Sequence, residues 1–223
     1  MLRLALVTGA SSGIGAAVSL LLAKQGVTVV LVSRSSPHLT SLHHQIEGQG
    51  GRSLVMECDL TNKEEIIRMA ASVKEKVGVP DLIVNNAGAY YFQLVEDRDY
   101  STWERMINLN IMGYLAIIAE FLGDMKVEIT LCINIQDYYE KKEIRLIEGF
   151  FLFPDNSSFS LNSYKPPGVR LECDVTKVRL QARDSGTIVN ITSDNEREAD
   201  PALAVYVGTK FFWAGASRSL RYR

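Results

Sequence analysis

Apolar residues near the N-terminus follow two alternating patterns. Short continuous runs at Leu4–Thr8, Val27–Ser33, Ser53–Cys58 and Asp81–Val84 lack the polar alternation of a half-exposed strand, so they predict strands buried on both faces. Between them the spacing turns helical. Gly13–Gln25 carries Ile14, Ala17, Val18, Leu21 and Leu22 on one face and stops at Gly26. Ser36-Pro37 offers an N-cap with proline at the first helical position, and Thr61-Asn-Lys-Glu64 reads as a capping box that opens a helix to about Val77. This strand–helix alternation predicts right-handed βαβ units, hence a doubly wound α/β fold with a parallel sheet covered on both faces.

Further along, Tyr100 to about Met125 predicts one long helix, Thr187–Ile191 a fifth strand, and the stretch from near Ala202 a last helix. A turn between such a helix and strand usually takes about 2–6 residues. Val127–Gln181 is far longer, contains no alanine, and holds two of the 3 cysteines and three of the 6 prolines. The expectation is a single domain over 1–223, interrupted by an insertion at about 127–181 that is foreign to it. Excising that segment joins Lys126 to Ala182, and its end codons can match the letters that border an intron, so a retained intron or gene-model error is expected. With the sequence ending at Arg223, within the last helix, a sheet without its final strands is expected, with Thr187–Ile191 as an exposed apolar edge.

Composition narrows the class without changing the fold. The 223 residues are 47% hydrophobic and 22% charged with a net charge of −2, an ordinary globular balance that gives no broad pull toward nucleic acid or anionic membrane. No apolar run approaches the ~20 residues of a membrane span. Cys58, Cys132 and Cys173 form no Cys-x-x-Cys, so a reducing, cytoplasmic setting is expected. His43 and His44 diverge on a helix with no companion ligand cluster, and no metal is expected.

Chemistry enters at Thr8-Gly9-Ala-Ser11-Ser12-Gly13-Ile14-Gly15, between the first strand and the first helix. Glycines there permit a tight turn and close approach to a pyrophosphate, and a helix N-terminus offers N–H groups and a positive dipole to phosphates. The end of the second strand reads Ser33-Arg34 and lacks the acid that would hold ribose hydroxyls. A guanidinium there suits a 2′-phosphate and favours NADP over NAD, although Arg34 alone also reads as a solvated loop residue. Asn85-Asn86-Ala87-Gly88 follows the fourth strand, where ligands sit, and alone also reads as an ordinary turn. Tyr206 and Lys210 share a helix face; an ammonium beside a phenol favours phenolate, yet the pair alone also reads as helix surface.

The ordered set of Thr8–Gly15, Asn85–Gly88, Ser193 just past the fifth strand, and Tyr206/Lys210 resembles the short-chain dehydrogenase/reductase family, in its compact Rossmann-like branch. The resemblance covers about 3–126 and 182–222. It implies that Tyr206 is the catalytic acid–base, that Lys210 tunes it and holds the nicotinamide ribose, and that Ser193 polarises a substrate carbonyl. It implies that Asn110 completes a proton relay through water, and that Asp59 and Leu60 contact adenine. The implied activity is NADPH-dependent reduction of a carbonyl, or its reverse on an alcohol, in a homodimer or homotetramer built through the helices of Asn110 and Tyr206. The competing reading is a catalytically silent nucleotide-binding or interaction isoform.

Overall fold

β1 (Leu4–Thr8) is buried at every position, as befits the middle of a sheet. The computed structural model describes residues 2–34, 37–125, 127–133, 143–144, 151–152, 172–173, 178–179, 186–192 and 201–219. Around β1 the chain lays down α1 (Gly13–Lys24), β2 (Thr28–Ser33), α2 (Pro37–Gly48), β3 (Arg52–Glu57), α3 (Lys63–Lys76) and β4 (Leu82–Asn85). α4 (Tyr100–Ile107) and α5 (Tyr114–Leu122) follow, then β5 (Val127–Ile133). The two-residue strands β6 (Glu143–Ile144), β7 (Phe151–Leu152), β8 (Glu172–Cys173) and β9 (Val178–Arg179) pair as β6–β8 and β7–β9, apart from the main sheet. β10 (Gly186–Ile191) and α6 (Ala204–Ser219) complete the described elements.

The main sheet runs β3-β2-β1-β4-β10-β5, with every pairing parallel. Alternate residues of each strand feed two separate cores. Ala5, Val7, Val29, Leu31, Leu82 and Val84 pack with α1 and α2 residues such as Leu21 and Leu42. Leu4, Leu6, Val30, Val32 and Ile83 pack on the other face with Ile66 and Val73 of α3, Ile117 and Phe121 of α5, and Trp213 of α6. Strands buried on both sides have no reason to alternate apolar with polar, which explains the continuous runs. The doubly wound fold is thus realised, and the chain reverses its direction of travel between β1 and β4, opening a crevice at their carboxyl ends.

Three expectations change. The cap of α3 is Asn62, whose side chain accepts from the Glu65 amide at 3.2 Å; Thr61 instead bonds Asp59. The carboxylate chemistry moved one residue because Glu65 reaches back to the Asp59 amide at 2.8 Å. The long helix is not uniform: a π turn over Asn108–Gly113 separates α4 from α5. Finally, β10 is not an edge. β5, from the segment expected to be foreign, lies beside it with Thr187 opposite Ile129 and Ile191 opposite Ile133. Its Val/Ile/Leu content suits the apolar neighbour it covers.

Tyr100–Leu122 has the length and mean hydropathy of a membrane span, 23 residues at 1.3. Tyr114, Ile117, Ile118 and Phe121 within it are buried in protein, while Tyr100, Ile107 and Met112 are exposed.

Candidate functional site

The loop from Thr8 to Gly15 is locked to the loop after β4 before any ligand enters. The Thr8 hydroxyl accepts from the backbone amides of Asn86 and Ala87 at 3.0 and 3.1 Å. In return the Asn86 side-chain amide donates to the Thr8 and Gly9 carbonyls at 3.0 and 3.2 Å. This crossing leaves no room for side chains. A Cβ on Gly9 would lie 2.8 Å from the Ala87 Cα, and one on Gly15 would strike the Gly9 carbonyl. Gly13 differs: its φ is +56°, and nothing stands within 4 Å of where a Cβ would be. That open, left-handed position faces space instead of protein.

The resulting crevice measures about 530 Å³, within the range of small-molecule sites. Of the expected cofactor residues, Gly9, Ser11, Ser12, Ile14, Ser33, Arg34, Asp59, Leu60, Asn86, Ala87 and Gly88 line it. Gly13 and Gly15 shape the loop without lining the crevice. At the start of α1, Ser12 makes no side-chain cap bond and the first turn carries no acid, an arrangement suited to an anion. The Ser11 and Ser33 hydroxyls lie 3.1 Å apart, so the loop and the end of β2 are joined. These features fit a dinucleotide.

Arg34 is exposed at the mouth and also borders an adjoining hollow of about 590 Å³ with Glu57, Asp59, Glu65 and Arg68. Glu57 stands opposite Ser33 in the sheet register. Linear spacing from β2 did not reveal this carboxylate, because strand pairing delivers it. Asp59 accepts from the amide and hydroxyl of Thr61 at 2.9 and 2.8 Å, which fixes the turn at the cleft wall. Cys58 lies in the same wall, where burial first and the Glu65 and Asp59 charges next push its thiol up to about 11, so it stays protonated. Arg105 is a second cleft cation that the sequence did not single out; its hydrogen bond to Tyr91 raises its pKa further.

The π turn places Asn110, fully buried, against Ala89 of the crevice wall. Its Oδ1 accepts from the Ala89 amide at 2.9 Å, while Nδ2 donates to the Ala89 carbonyl at 2.9 Å and to the Thr209 hydroxyl at 3.1 Å. Its backbone carbonyl accepts from the Trp213 indole at 2.7 Å. π turns widen the helical ladder and release such groups for tertiary bonds. Asn110 therefore braces the β4 loop to α6.

Lys210 is 4% exposed, and its Nζ donates to the Ile191 carbonyl at 2.9 Å. A Cβ on Gly88 would lie 3.6 Å from that nitrogen and 3.4 Å from the Asn110 Oδ1. The Lys210 Nζ is 5.8 Å from the centroid of the Tyr206 ring, one helical turn earlier. Tyr206 is half-buried and tilts against Tyr90 at 5.9 Å between centroids. Gly88, Asn110, Tyr206 and Lys210 thus meet at one place; Ser193 lies outside the described residues. The sequence reading missed the polar core beneath them. Asn85 donates to the Asn190 Oδ1 at 2.9 Å, and Asn190 donates to the Ser217 hydroxyl at 3.0 Å, all buried. An asparagine inside an apolar strand, as at 190, was the available signal.

A family model described as short chain dehydrogenase matches residues 3–135. An uncharacterised oxidoreductase of Staphylococcus saprophyticus is 40% identical over 126 residues, 55% of this chain and 53% of that protein. A 3beta-hydroxysteroid dehydrogenase of Mediterraneibacter gnavus is 38% identical over 110 residues, 49% of this chain and 40% of that one. The chain spans about half the length of the curated relatives it matches. Among solved structures, a metagenomic short-chain oxidoreductase in complex with NADP superposes with a TM-score of 0.69 at 23% identity, over 98% of this chain and 74% of that one. The likeness to that structure concerns the fold.

Proposed function

Since the chain belongs to the short chain dehydrogenase family, we propose that it is built as an NADP-dependent oxidoreductase acting on a carbonyl or alcohol carbon. The observation that carries this reading is the convergence of Asn110 and Lys210 on Gly88, which lines the glycine-rich crevice, with Tyr206 beside Lys210.

Gly9, Ser11, Ser12, Gly13, Ile14 and Gly15 would hold the pyrophosphate, and Asn86, Ala87, Gly88 and Lys210 the nicotinamide ribose. Asp59 and Leu60 would face adenine, and Ser33 and Arg34 the 2′-phosphate. When bound, the nicotinamide supplies hydride chemistry. The protein's part is proton management. Tyr206 gives a proton to, or takes one from, the substrate oxygen. Lys210, pinned to the Ile191 carbonyl, keeps a positive charge beside that phenol and favours phenolate. Ser193 would donate to the substrate oxygen and stabilise developing charge. Asn110 keeps the Ala89 loop in register with α6.

Tyr90, which leans on Tyr206, and Phe92, which leans on Tyr90, are 57% and 67% exposed, which favours an apolar substrate. Exposed Tyr100, Ile107, Met112, Phe211 and Phe212 on the helices of Asn110 and Tyr206 favour a homodimer through that face. The test is fluorescence titration with NADPH and NADH, followed by NADPH oxidation with a panel of apolar ketones. Tighter NADPH binding and ketone-dependent oxidation are expected. Binding without turnover would favour the silent nucleotide-binding isoform, and failure to bind either nucleotide would refute both readings.

A further inference from the structure

The buried Lys210 ammonium is flanked by two aromatic rings. One is Tyr206; the other is Tyr114, whose centroid lies 5.9 Å from Nζ. Tyr114 opens α5 directly after the π turn and is wholly buried. Its ring leans on Trp213 at 5.3 Å between centroids, and Trp213 is tied to the Asn110 carbonyl. The ring is therefore held by both helices. Its hydroxyl, in contrast, has no hydrogen-bond partner among the described residues. A buried hydroxyl without an acceptor is costly, and phenylalanine would fill the same space without that cost. Burial, together with the Tyr206 charge, pushes Tyr114 ionisation far above that of an ordinary phenol. Tyr114 therefore stays a neutral dipole throughout the working pH range.

We propose that Tyr114 is a positioning residue for the Tyr206/Lys210 pair: its ring face holds the ammonium in place, and its neutral hydroxyl favours the phenolate form of Tyr206. The proposal rests on the acid–base reading of Tyr206. With no fixed acceptor, the Tyr114 O–H can rotate toward negative charge where it arises. That charge arises when Tyr206 loses its proton, and a dipole in a dry interior responds to it strongly. Among the described residues, the ionisable groups seen around Tyr206 are Lys210 on its own helix, Tyr114 on α5 and Tyr90 on the segment after β4. Tyr90 is 57% exposed, so its influence is screened by water.

The test titrates the full chain by near-ultraviolet phenolate absorbance, alongside Tyr206→Phe, Tyr114→Phe and Tyr114→Leu. The transition that disappears in Tyr206→Phe belongs to Tyr206. Its midpoint is expected to rise by about one pH unit in Tyr114→Phe. It should rise further in Tyr114→Leu, which also loses the ring face. Tyr114→Phe keeps the ring and packing, and its thermal midpoint should match or exceed that of the parent; it decides the matter even if the leucine variant fails to fold. An unmoved Tyr206 midpoint in Tyr114→Phe overturns the proposal and leaves Tyr114 as packing. If no transition disappears in Tyr206→Phe, the acid–base reading has failed and the proposal falls with it, a result distinct from an unmoved midpoint.

Discussion

The nucleotide crevice and the Tyr206/Lys210 end of the site are assembled in different ways. The crevice is made from backbone: glycines at close approach, a threonine hydroxyl taking two amides, and Asn86 bridging two carbonyls. Its parts lie on neighbouring strands of one continuous stretch of sequence. The other end is made from side chains far apart in sequence, drawn together by buried polar pairs. Asn85 meets Asn190, Asn190 meets Ser217, and Asn110 meets Thr209. A backbone-built site is specified by local motif, whereas a site built by side chains depends on the whole fold closing around it.

The sharpest way to separate the two is Tyr206→Phe. Turnover should fall by about 10²–10⁴-fold, the usual contribution of a general acid–base, while NADPH affinity in a fluorescence titration stays near that of the parent. Comparable losses in both would mean that the two ends are one unit. Next in size is Gly15→Ala, which forces a methyl group onto the Gly9 carbonyl and the Asn86 amide. Overpacking of this kind costs about 1–3 kcal/mol, and both the denaturant midpoint and nucleotide binding should drop. Asn190→Ala strikes the other end by removing the acceptor of the Asn85 amide and the donor to the Ser217 hydroxyl. A loss of about 1–3 kcal/mol in chemical denaturation is expected. If NADPH binding also weakened tenfold, the distinction would blur.

The smallest expected effect is a pH control outside both regions. Asp99 caps α4 and accepts from Ser101 and Thr102, bonds that hold its carboxyl at about 2. Its folded value lies below that of an unfolded aspartate, near 3.9. The carboxylate's stabilising effect is therefore complete above about pH 4 and lost as pH falls toward 2. Asp99→Asn should lower the thermal midpoint slightly near neutrality and converge on the parent as pH falls toward 2, giving a flatter acid limb.

The same contrast explains what could be read in advance. Strands buried on both faces, the Thr8–Gly15 loop and Asn85–Gly88 were legible because each is a local pattern with its own steric reason. The placing of Tyr206 and Lys210 in the site was legible by resemblance and helical spacing. Glu57 beside Ser33 was not, because register delivers it. Nor were the side-chain contacts of Asn110, because a π turn leaves no periodic trace in six residues. β5 beside β10 escaped for a related reason: composition marked Val127–Gln181 as foreign, but an apolar edge accepts any strand of suitable chemistry.

The wide turn at Asn108–Gly113 also sets the phase of everything after it. An α-helix advances about 100° per residue, so deleting one residue there would rotate α5 by about that angle against the sheet. Tyr114, Ile117 and Phe121 would leave their present core positions together. The extra residue works as an angular offset, letting one stretch of helix turn a polar amide to the Ala89 segment and, a turn later, an oily stripe to the interior.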